Sequence, residues 1–247
     1  MFAAEAGNFW FRARNRILLG LFRKFVRTER AQVLEIGCGT GFVLHGLSQA
    51  FPQWTLTGAE GSLEGLRFAR QRLAGLEFIQ LDARTLPFES AFDAIGAFDV
   101  IEHITEDEQV LASAFRALRP GGHLFVSVPQ HPSLWSANDD HAHHKRRYRR
   151  HELDDKVTAA GFRVVRSTSF VTTLFPAMAL SRRRQRHDLK ALTQDEALEL
   201  STRELTLPKP LDLAFDLAMR LDGALIAAGL SLPFGGSRVV VAQKPAL

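Results

Sequence analysis

The sequence predicts an α/β protein whose core is a doubly wound, mainly parallel sheet. In residues 31–130, short runs rich in Val, Leu and Ile alternate with segments that have helical spacing. The first run ends at a cluster of glycines, where a tight turn into a helix is expected. Such sheets bind ligands beyond the carboxyl ends of their strands, so residues at those ends are the first site candidates.

The elements of this core follow one another in regular order. Strands are predicted at 31–37, 54–60, 76–82, 92–100 and 123–129. Helices are predicted at 42–51, 62–75 and 106–122. Ser62 is a suitable N-cap for the second helix, and the third has an acidic first turn and a Pro-Gly-Gly stop.

The alternation changes after residue 130. A helix at 151–162 and a strand at 163–171 precede a long stretch of helical patterning, and a last strand is predicted at 237–245. We therefore divide the chain into a helical cover, a core in two segments and a helical insertion that acts as a lid. The corresponding ranges are 1–30 for the cover, 31–171 and 237–247 for the core, and 172–236 for the insertion.

Composition limits the setting in which this chain works. A length of 247 residues with 46% hydrophobic content suits one large domain. Cys38, the single cysteine, excludes an intrachain disulfide. The first twenty residues do not resemble a secretory signal, and a cytoplasmic location is predicted. The pI of about 9.6 comes mainly from basic runs at 145–150 and 182–186, which indicate anionic partners.

The stretch "VLEIGCGTGF" (33–42) predicts the ligand class. A dinucleotide fingerprint would place its third glycine one position later, and Glu35 precedes the first glycine by two residues. A carboxylate in that crevice would repel a pyrophosphate and attract a cation. S-adenosylmethionine carries an ammonium and a sulfonium group and no phosphate, so it is the predicted cofactor.

Two further carboxylates support this prediction. Glu60, followed by Gly61, ends the second strand, where it can accept hydrogen bonds from ribose hydroxyls. Asp82 ends the third strand, within reach of an adenine amino group. Incidental surface acids would be a poor explanation for carboxylates at three consecutive strand ends.

With these motifs in place, the chain resembles the class I S-adenosylmethionine-dependent methyltransferases. The resemblance rests on "VLEIGCGTGF", "GAEGS", "QLDARTLPF", "FDVIEHI" and "LRPGGHLFVSVP". It implies a Rossmann-like sheet of seven strands in the order 3-2-1-4-5-7-6, with the last strand antiparallel. It also implies a cofactor site formed by Arg14, Glu35, Gly37, Cys38, Gly39, Glu60, Gly61, Asp82, Ala83 and Phe98.

The N-terminal segment "NFWFRARNRI" (8–17) has two interpretations. In similar proteins an aromatic and arginine-rich segment folds over the cofactor, and Arg14 or Arg12 would pair with the methionine carboxylate. Alternatively, it forms an amphipathic helix on the sheet with solvated arginines.

His103 follows the fourth strand, where the acceptor would meet the methyl group. A hydroxyl acceptor must lose a proton, and an imidazole is a suitable base. His103 could instead cap the next helix, or hold a metal with Asp99 and Glu102, although we predict no metal. The predicted function is methyl transfer to an oxygen of a small or lipid-like acceptor.

The run "DDHAHHKRRYRRH" (139–151) also has competing interpretations. Its histidines lack zinc-ligand spacing, and it is too short for a nucleic-acid-binding tail. The resemblance implies a lid over the acceptor, in which Arg146, Arg147 and Tyr148 recognise an anionic or amphipathic group, so we predict catalytic roles for Arg147 and Tyr148. A solvated basic loop is the alternative.

The segment 210–236 is apolar around most of its predicted helix. Asp212, Asp216 and Arg220 form a narrow polar stripe, so the rest must face the core, a second copy of the chain or a bilayer surface. A lid is the preferred interpretation, and a homodimer and peripheral membrane contact are the others.

Two other functions compete with a small-molecule methyltransferase. A nucleic-acid methyltransferase would fit the basic pI, but "FDVIEHI" stands where base-modifying members commonly carry an "NPPY"-type loop, so a nucleic-acid partner is not expected. A protein that binds S-adenosylmethionine without catalysis is the second alternative.

Overall fold

A computed structural model of the chain describes residue 2 and residues 5–188 and 207–246. One sheet of seven strands runs through it in the order β3-β2-β1-β4-β5-β7-β6, and β7 is antiparallel to both of its neighbours. The predicted topology is therefore confirmed. The strands are β1 (Gln32–Ile36), β2 (Thr55–Glu60), β3 (Glu77–Gln80), β4 (Phe92–Phe98), β5 (Leu118–Pro129), β6 (Arg163–Phe170) and β7 (Ser237–Gln243).

Helices cover both faces of this sheet. They are α1 (Phe9–Phe25), α2 (Phe42–Ala50), α3 (Leu63–Arg72), α4 (Asp107–Ala117), α5 (Ala137–His141), α6 (Glu152–Ala159), α7 (Phe175–Asp188) and α8 (Lys209–Ala227). Part of the predicted insertion, 189–206, lies outside the described residues, as do the side chains of 183–186 in the second basic run. Residues 228–236, for which helical patterning was predicted, lie beyond the end of α8.

Alternating side chains of the strands build two cores, one on each face of the sheet. Val33 and Leu34, neighbours on β1, enter opposite cores because successive strand residues point to opposite faces. Phe22 of α1 is fully buried in the first core and stacks on Phe125 of β5 with ring centroids 4.0 Å apart. Helix α1, predicted as a cover, is thus part of the main core.

Of the polar stripe predicted for 210–236, the two aspartates face inward, whereas Arg220 is exposed. Asp212 and Asp216 of α8 accept hydrogen bonds from Arg12 and Arg16 of α1, at 2.6 and 2.8 Å. The periodicity of the helix does not reveal these ion pairs, because the partners lie about 200 residues earlier in the chain.

The glycine turn after β1 brings the ends of two strands together. Gly37 has a φ of +63°, and a Cβ atom there would lie 2.4 Å from Cγ2 of Val100, which follows β4. Only glycine combines this backbone conformation with so close an approach. Since β1 and β4 are the strands where the order reverses, the turn opens a crevice at the switch point of the sheet.

We expect Phe22→Ala to lower the free energy of unfolding by about 3–5 kcal/mol, because it leaves a cavity between α1 and β5. Denaturant unfolding of both proteins measures the difference. A loss below about 1 kcal/mol would contradict the placement of α1 in the main core.

Candidate functional site

A cavity of about 1000 Å³ opens at the carboxyl ends of β1 to β4. Its walls also include residues of α1 and of the segment that follows α5. The lining contains every residue predicted for the cofactor, together with His103: Arg14, Glu35, Gly37, Cys38, Gly39, Glu60, Gly61, Asp82, Ala83 and Phe98. The size suits a nucleoside-sized ligand together with a small second molecule.

Glu35 is the most unusual charged group in this cavity. Its side chain is buried, and Oε2 has no hydrogen-bond partner among the described residues. Burial raises the pKa of Glu35 to about 8, although the positive charge of Arg14 opposes the shift. An unpaired carboxylate in a cavity wall is costly unless a cationic ligand compensates it.

The sheet itself leaves Glu35 without a partner. Its register neighbours on β2 and β4 are Gly58 and Gly96, which have no side chains to offer. A Cβ atom at Gly58 would lie 2.5 Å from the ring of Phe78, and one at Gly96 would lie 2.5 Å from the ring of Phe98. Aromatic rings therefore occupy the space on both sides of the carboxylate and keep its surroundings apolar.

Glu60 fixes the two turns that form the cavity floor. Its Oε2 accepts a hydrogen bond from the backbone N–H of Gly39 at 2.8 Å, and its Oε1 accepts one from Ser62 at 2.9 Å. The glycine turn and the start of α3 are thereby tied to the end of β2. Each oxygen keeps a second lone pair for a ligand hydroxyl.

Asp82 lies at the cavity mouth and is half-exposed. It accepts hydrogen bonds from Arg84 through both oxygens, and these bonds lower the pKa of Asp82. A ligand amino group would have to share Asp82 with this guanidinium. The backbone of Ala83, the next lining residue, begins a short 3₁₀ turn.

The arginines of α1 have distinct partners. Arg14 lies in the cavity wall, pairs with Asp99 and places its guanidinium 4.5 Å from the ring centroid of Trp10. Arg12 pairs with Asp212 and does not line the cavity, so Arg14 is the one placed to meet a ligand. The alternative of solvated arginines is wrong for Arg14, which is buried, whereas Arg16 is exposed although it pairs with Asp216. Asp99 has a φ of +57°, an unusual conformation that aims its carboxylate at Arg14.

Glu5, near the N-terminus, also contacts the glycine turn. Glu5 is buried, pairs with Arg72 at 2.7 Å and accepts a hydrogen bond from the hydroxyl of Thr40 at 2.7 Å. Glu5 and Thr40 both line the cavity. Nothing in the periodicity around residue 5 marks this contact, and sequence reasoning missed it.

Two imidazoles face each other at the acceptor side of the cavity. The rings of His103 and His144 are 4.7 Å apart and perpendicular. Nδ1 of His144 lies 2.8 Å from Oδ1 of Asp139, a buried carboxylate that also receives hydrogen bonds from Arg147 and Ser136. Burial alone would raise the pKa of Asp139, but these contacts bring it to about 2. His144 was not among the predicted site residues.

The same corner contains a set of metal-type donors. Glu102, His103 and His144 have ligand atoms within 4.8 Å of one another. Both carboxylate oxygens of Glu102 are buried without a hydrogen-bond partner among the described residues, although Nε2 of His144 lies 4.0 Å from Oε1. Burial, followed by the charge of Asp99, raises the pKa of Glu102 well above its usual range. These residues could hold a divalent cation, with His144 in the place that the sequence had assigned to Asp99.

Tyr148 and Arg147 do not fit the catalytic roles predicted for them. Tyr148 is fully buried, and its hydroxyl donates to Asp107 at 2.7 Å. Arg147 binds Asp139 at 2.7 Å, and neither residue lines the cavity. Arg146 is similarly paired with Asp107. Arg146 and Arg147 are thus bound to buried acids and have structural roles, whereas Lys145, Arg149 and Arg150 are exposed. Ala142 and His144 of the same segment form part of the cavity wall.

A family model for a methyltransferase domain matches residues 33–122, the part of the chain that contains the glycine turn and the ends of β1 to β4. This part of the chain is a class I S-adenosylmethionine-dependent methyltransferase domain. S-adenosylmethionine is the cofactor of this family.

Curated relatives share this domain. The chain is 38% identical over 116 residues to a trans-aconitate 2-methyltransferase from Deinococcus radiodurans, with 47% of this chain and 42% of that protein covered. It is 39% identical over 102 residues to a fatty-acid O-methyltransferase from Mycolicibacterium smegmatis, with 40% and 37% covered. The chain thus spans less than half the length of these relatives.

A solved structure shows the same fold over nearly the whole chain. Phosphoethanolamine N-methyltransferase 2 from Haemonchus contortus, in complex with S-adenosylmethionine, superposes with a TM-score of 0.62 at 19% identity. The match covers 94% of this chain and 52% of the other. Fold similarity of this kind extends beyond the conserved methyltransferase motifs to α1 and the later strands.

We expect Tyr148→Phe to behave as a structural substitution. Removing the hydroxyl should lower the free energy of unfolding by about 1–2 kcal/mol, since Asp107 loses a buried donor. Asp107 keeps its contacts with Lys156 and Arg146, so the fold should persist. Calorimetric affinity for S-adenosylmethionine should stay within about twofold. A large loss of affinity for S-adenosylmethionine, with no loss in the free energy of unfolding, would show that Tyr148 contributes to the cofactor site.

The raised pKa of Glu35 makes the stability of the ligand-free protein depend on pH. Since the pKa is about 8 in the fold and 4.5 as a free side chain, the fold favours the protonated form. This contribution is complete below pH 4.5 and is lost as the pH rises to about 8. We expect Glu35→Gln to be more stable than the natural protein at pH 8, with a smaller gain at pH 5. An equal gain at both pH values would show that Glu35 is not buried as described.

Proposed function

We propose that this protein is an enzyme that transfers a methyl group from S-adenosylmethionine to an oxygen atom of a small-molecule acceptor. The observation that carries the proposal is the buried carboxyl group of Glu35, whose Oε2 has no hydrogen-bond partner among the described residues, in a row with Glu60 and Asp82 along one cavity. Such a row fits a cationic nucleoside without phosphate.

The cavity offers a group for each part of the cofactor. Glu35 would receive its ammonium group, and Arg14 would share its guanidinium between Asp99 and the methionine carboxylate. Glu60 would accept hydrogen bonds from the ribose hydroxyls, and Asp82 and Ala83 would contact adenine. The backbone of Gly37 and Gly39, with Cys38 and Gly61, would follow the ligand closely, and Phe98 would pack beside it.

The acceptor would lie beyond the methyl group, between the end of β4 and the segment 142–144. Val100 and Ile104 give this side apolar walls, while His103 and His144 supply polar edges. A small molecule with an apolar body and one ionisable oxygen fits such surroundings. The two curated relatives described above are named for acid substrates, which supports transfer to oxygen.

An imidazole of the pair would accept the proton of the acceptor. His103 is the base suggested by the sequence, and desolvation followed by the neighbouring charge of His144 lowers the pKa of His103, which favours its neutral form. His144 has the better-defined tautomer, because Asp139 fixes the proton on Nδ1 and leaves Nε2 as the acceptor atom. Asp139 would also stabilise the imidazolium that forms.

The structure offers less support for the other two functions. A nucleic-acid substrate would need exposed cations around the cavity mouth, but Arg146 and Arg147 are paired with Asp107 and Asp139. A protein that only holds the cofactor would have no need for two imidazoles at the acceptor side.

We expect Glu35→Gln to weaken binding of S-adenosylmethionine by tenfold or more, equivalent to about 1.5–3 kcal/mol for a charged hydrogen bond. Glu77→Gln removes the same charge from an exposed position on β3 and serves as the control. Isothermal calorimetry with S-adenosylmethionine and with NAD measures both affinities. Unchanged binding in Glu35→Gln, or tight binding of NAD alone, would contradict the proposal.

His144→Ala and His103→Ala should retain cofactor affinity and lose methyl transfer. For the residue that is the base, we expect a fall of about 10²–10⁴-fold in kcat. The exposed His45 on α2 provides the matched control, His45→Ala. Release of S-adenosylhomocysteine gives the rate with small phenols as probes, because a phenol must lose its proton on methylation whereas a carboxylic acid is already ionised at neutral pH. Full activity in both variants would exclude imidazole base catalysis, and loss on addition of EDTA would favour a metal at the same corner.

A further inference from the structure

Helix α8 carries its carboxylates on the side that faces the protein. Asp212 accepts hydrogen bonds from the backbone of Phe9 and from Arg12, and Asp216 pairs with Arg16. Asp222 is fully buried and accepts from the backbone N–H groups that follow β6, at 2.6 and 3.1 Å. All three carboxylates of the helix are therefore neutralised from within the protein.

The opposite side of α8 is apolar and exposed. Leu213, Leu217 and Leu221 have 68%, 68% and 53% of their surface accessible and, at intervals of four residues, form one stripe. Ala214 and Ala224 lie on the same exposed side. This helix reverses the usual arrangement of a surface helix, in which apolar residues face the core.

Cations border this stripe. Lys209 and Arg220 are exposed and, within Lys209–Ala227, are the only charged residues on the outer face. Arg220 is 64% exposed on its side chain and touches Asp216 through Nε. This apolar stripe is flanked by lysine and arginine and contains no carboxylates. It is complementary to a bilayer surface, which has an apolar acyl layer beneath anionic headgroups.

We propose that the outer face of α8 docks on the surface of a lipid bilayer that contains anionic headgroups. The leucines would enter the boundary between headgroups and acyl chains, and Lys209 and Arg220 would extend to the phosphates. A second copy of the chain is less suitable, because the same face would present two more cations and no carboxylate to receive them. None of the described helices is long and apolar enough to cross a bilayer, so the contact would be peripheral.

Docking in this orientation would place the cavity close to the lipid. Helix α8 packs along α1, where Phe215 meets Phe9 edge to face at 5.2 Å. Trp10, Phe11 and Arg14 on the same helix α1 line the cavity. An acceptor with an acyl chain could then pass from the bilayer to the site along α1, a consequence that rests on the proposed function, whereas the docking itself does not.

Co-sedimentation with vesicles tests the proposal. The full chain should bind vesicles of phosphatidylglycerol and phosphatidylcholine, bind pure phosphatidylcholine at least tenfold more weakly, and lose affinity as salt is raised. Replacing Leu213, Leu217 and Leu221 together by Gln should reduce binding at least tenfold, and Leu217→Gln alone should reduce it partly. Leu63→Gln, on α3 and 67% exposed, is the matched control and should bind as the natural protein does.

Each alternative outcome overturns the proposal. A natural protein that binds no vesicles, or a triple variant that binds as well as the natural protein, contradicts bilayer docking. A dimer in sedimentation equilibrium that the triple variant converts to monomer, without vesicle binding, assigns the face to a second copy. If the natural protein binds no vesicles and the triple variant melts at a lower temperature, the leucines are packed against another part of this chain. Calorimetry with S-adenosylmethionine on the same variants reports the cofactor site separately.

Discussion

The site depends on one buried carboxyl group, that of Glu35, whose Oε2 has no hydrogen-bond partner among the described residues. Glu35 lies next to the last residue of β1. Its register neighbours on β2 and β4 are Gly58 and Gly96, which carry no side chains. The rings of Phe78 and Phe98 fill the space that those glycines leave, and the positive φ of Gly37 turns the backbone away. A buried acid in such surroundings resists ionisation until a cation arrives. The preference for a positively charged cofactor is therefore built into the packing of three strands.

The remaining charged groups organise this arrangement. Glu60 ties the glycine turn to the start of α3, and Arg14 brings α1 to Asp99 at the end of β4. On the acceptor side, Asp139 holds His144 in one tautomer. The family match covers 33–122, yet α1 and the segment around residue 144 complete the cavity from outside that range.

Local pattern made the fold and the cofactor side predictable. Strand-length apolar runs predicted the individual strands, and the family resemblance supplied their order. The glycine turn and Glu35 lie within ten consecutive residues, so their chemistry could be inferred without tertiary contacts. The acceptor side could not be inferred in this way. Tyr148 and Arg147 look suited to a pocket mouth, but Asp107 and Asp139 bind them elsewhere. Asp216 looks solvent-facing until Arg16, 200 residues earlier, is known to pair with it. Ion pairs between residues far apart in the chain depend on how the elements pack, and the periodicity of the sequence carries no information about that packing.

The central claim is that cofactor binding ionises Glu35. Calorimetric titration of S-adenosylmethionine at pH 7, repeated in buffers with different ionisation enthalpies, measures the protons exchanged. Since the pKa of Glu35 is about 8 in the ligand-free protein, binding of the cationic ligand should release about one proton. The release should disappear in Glu35→Gln. Tight binding with no proton release, or the same release from Glu35→Gln, would contradict the account.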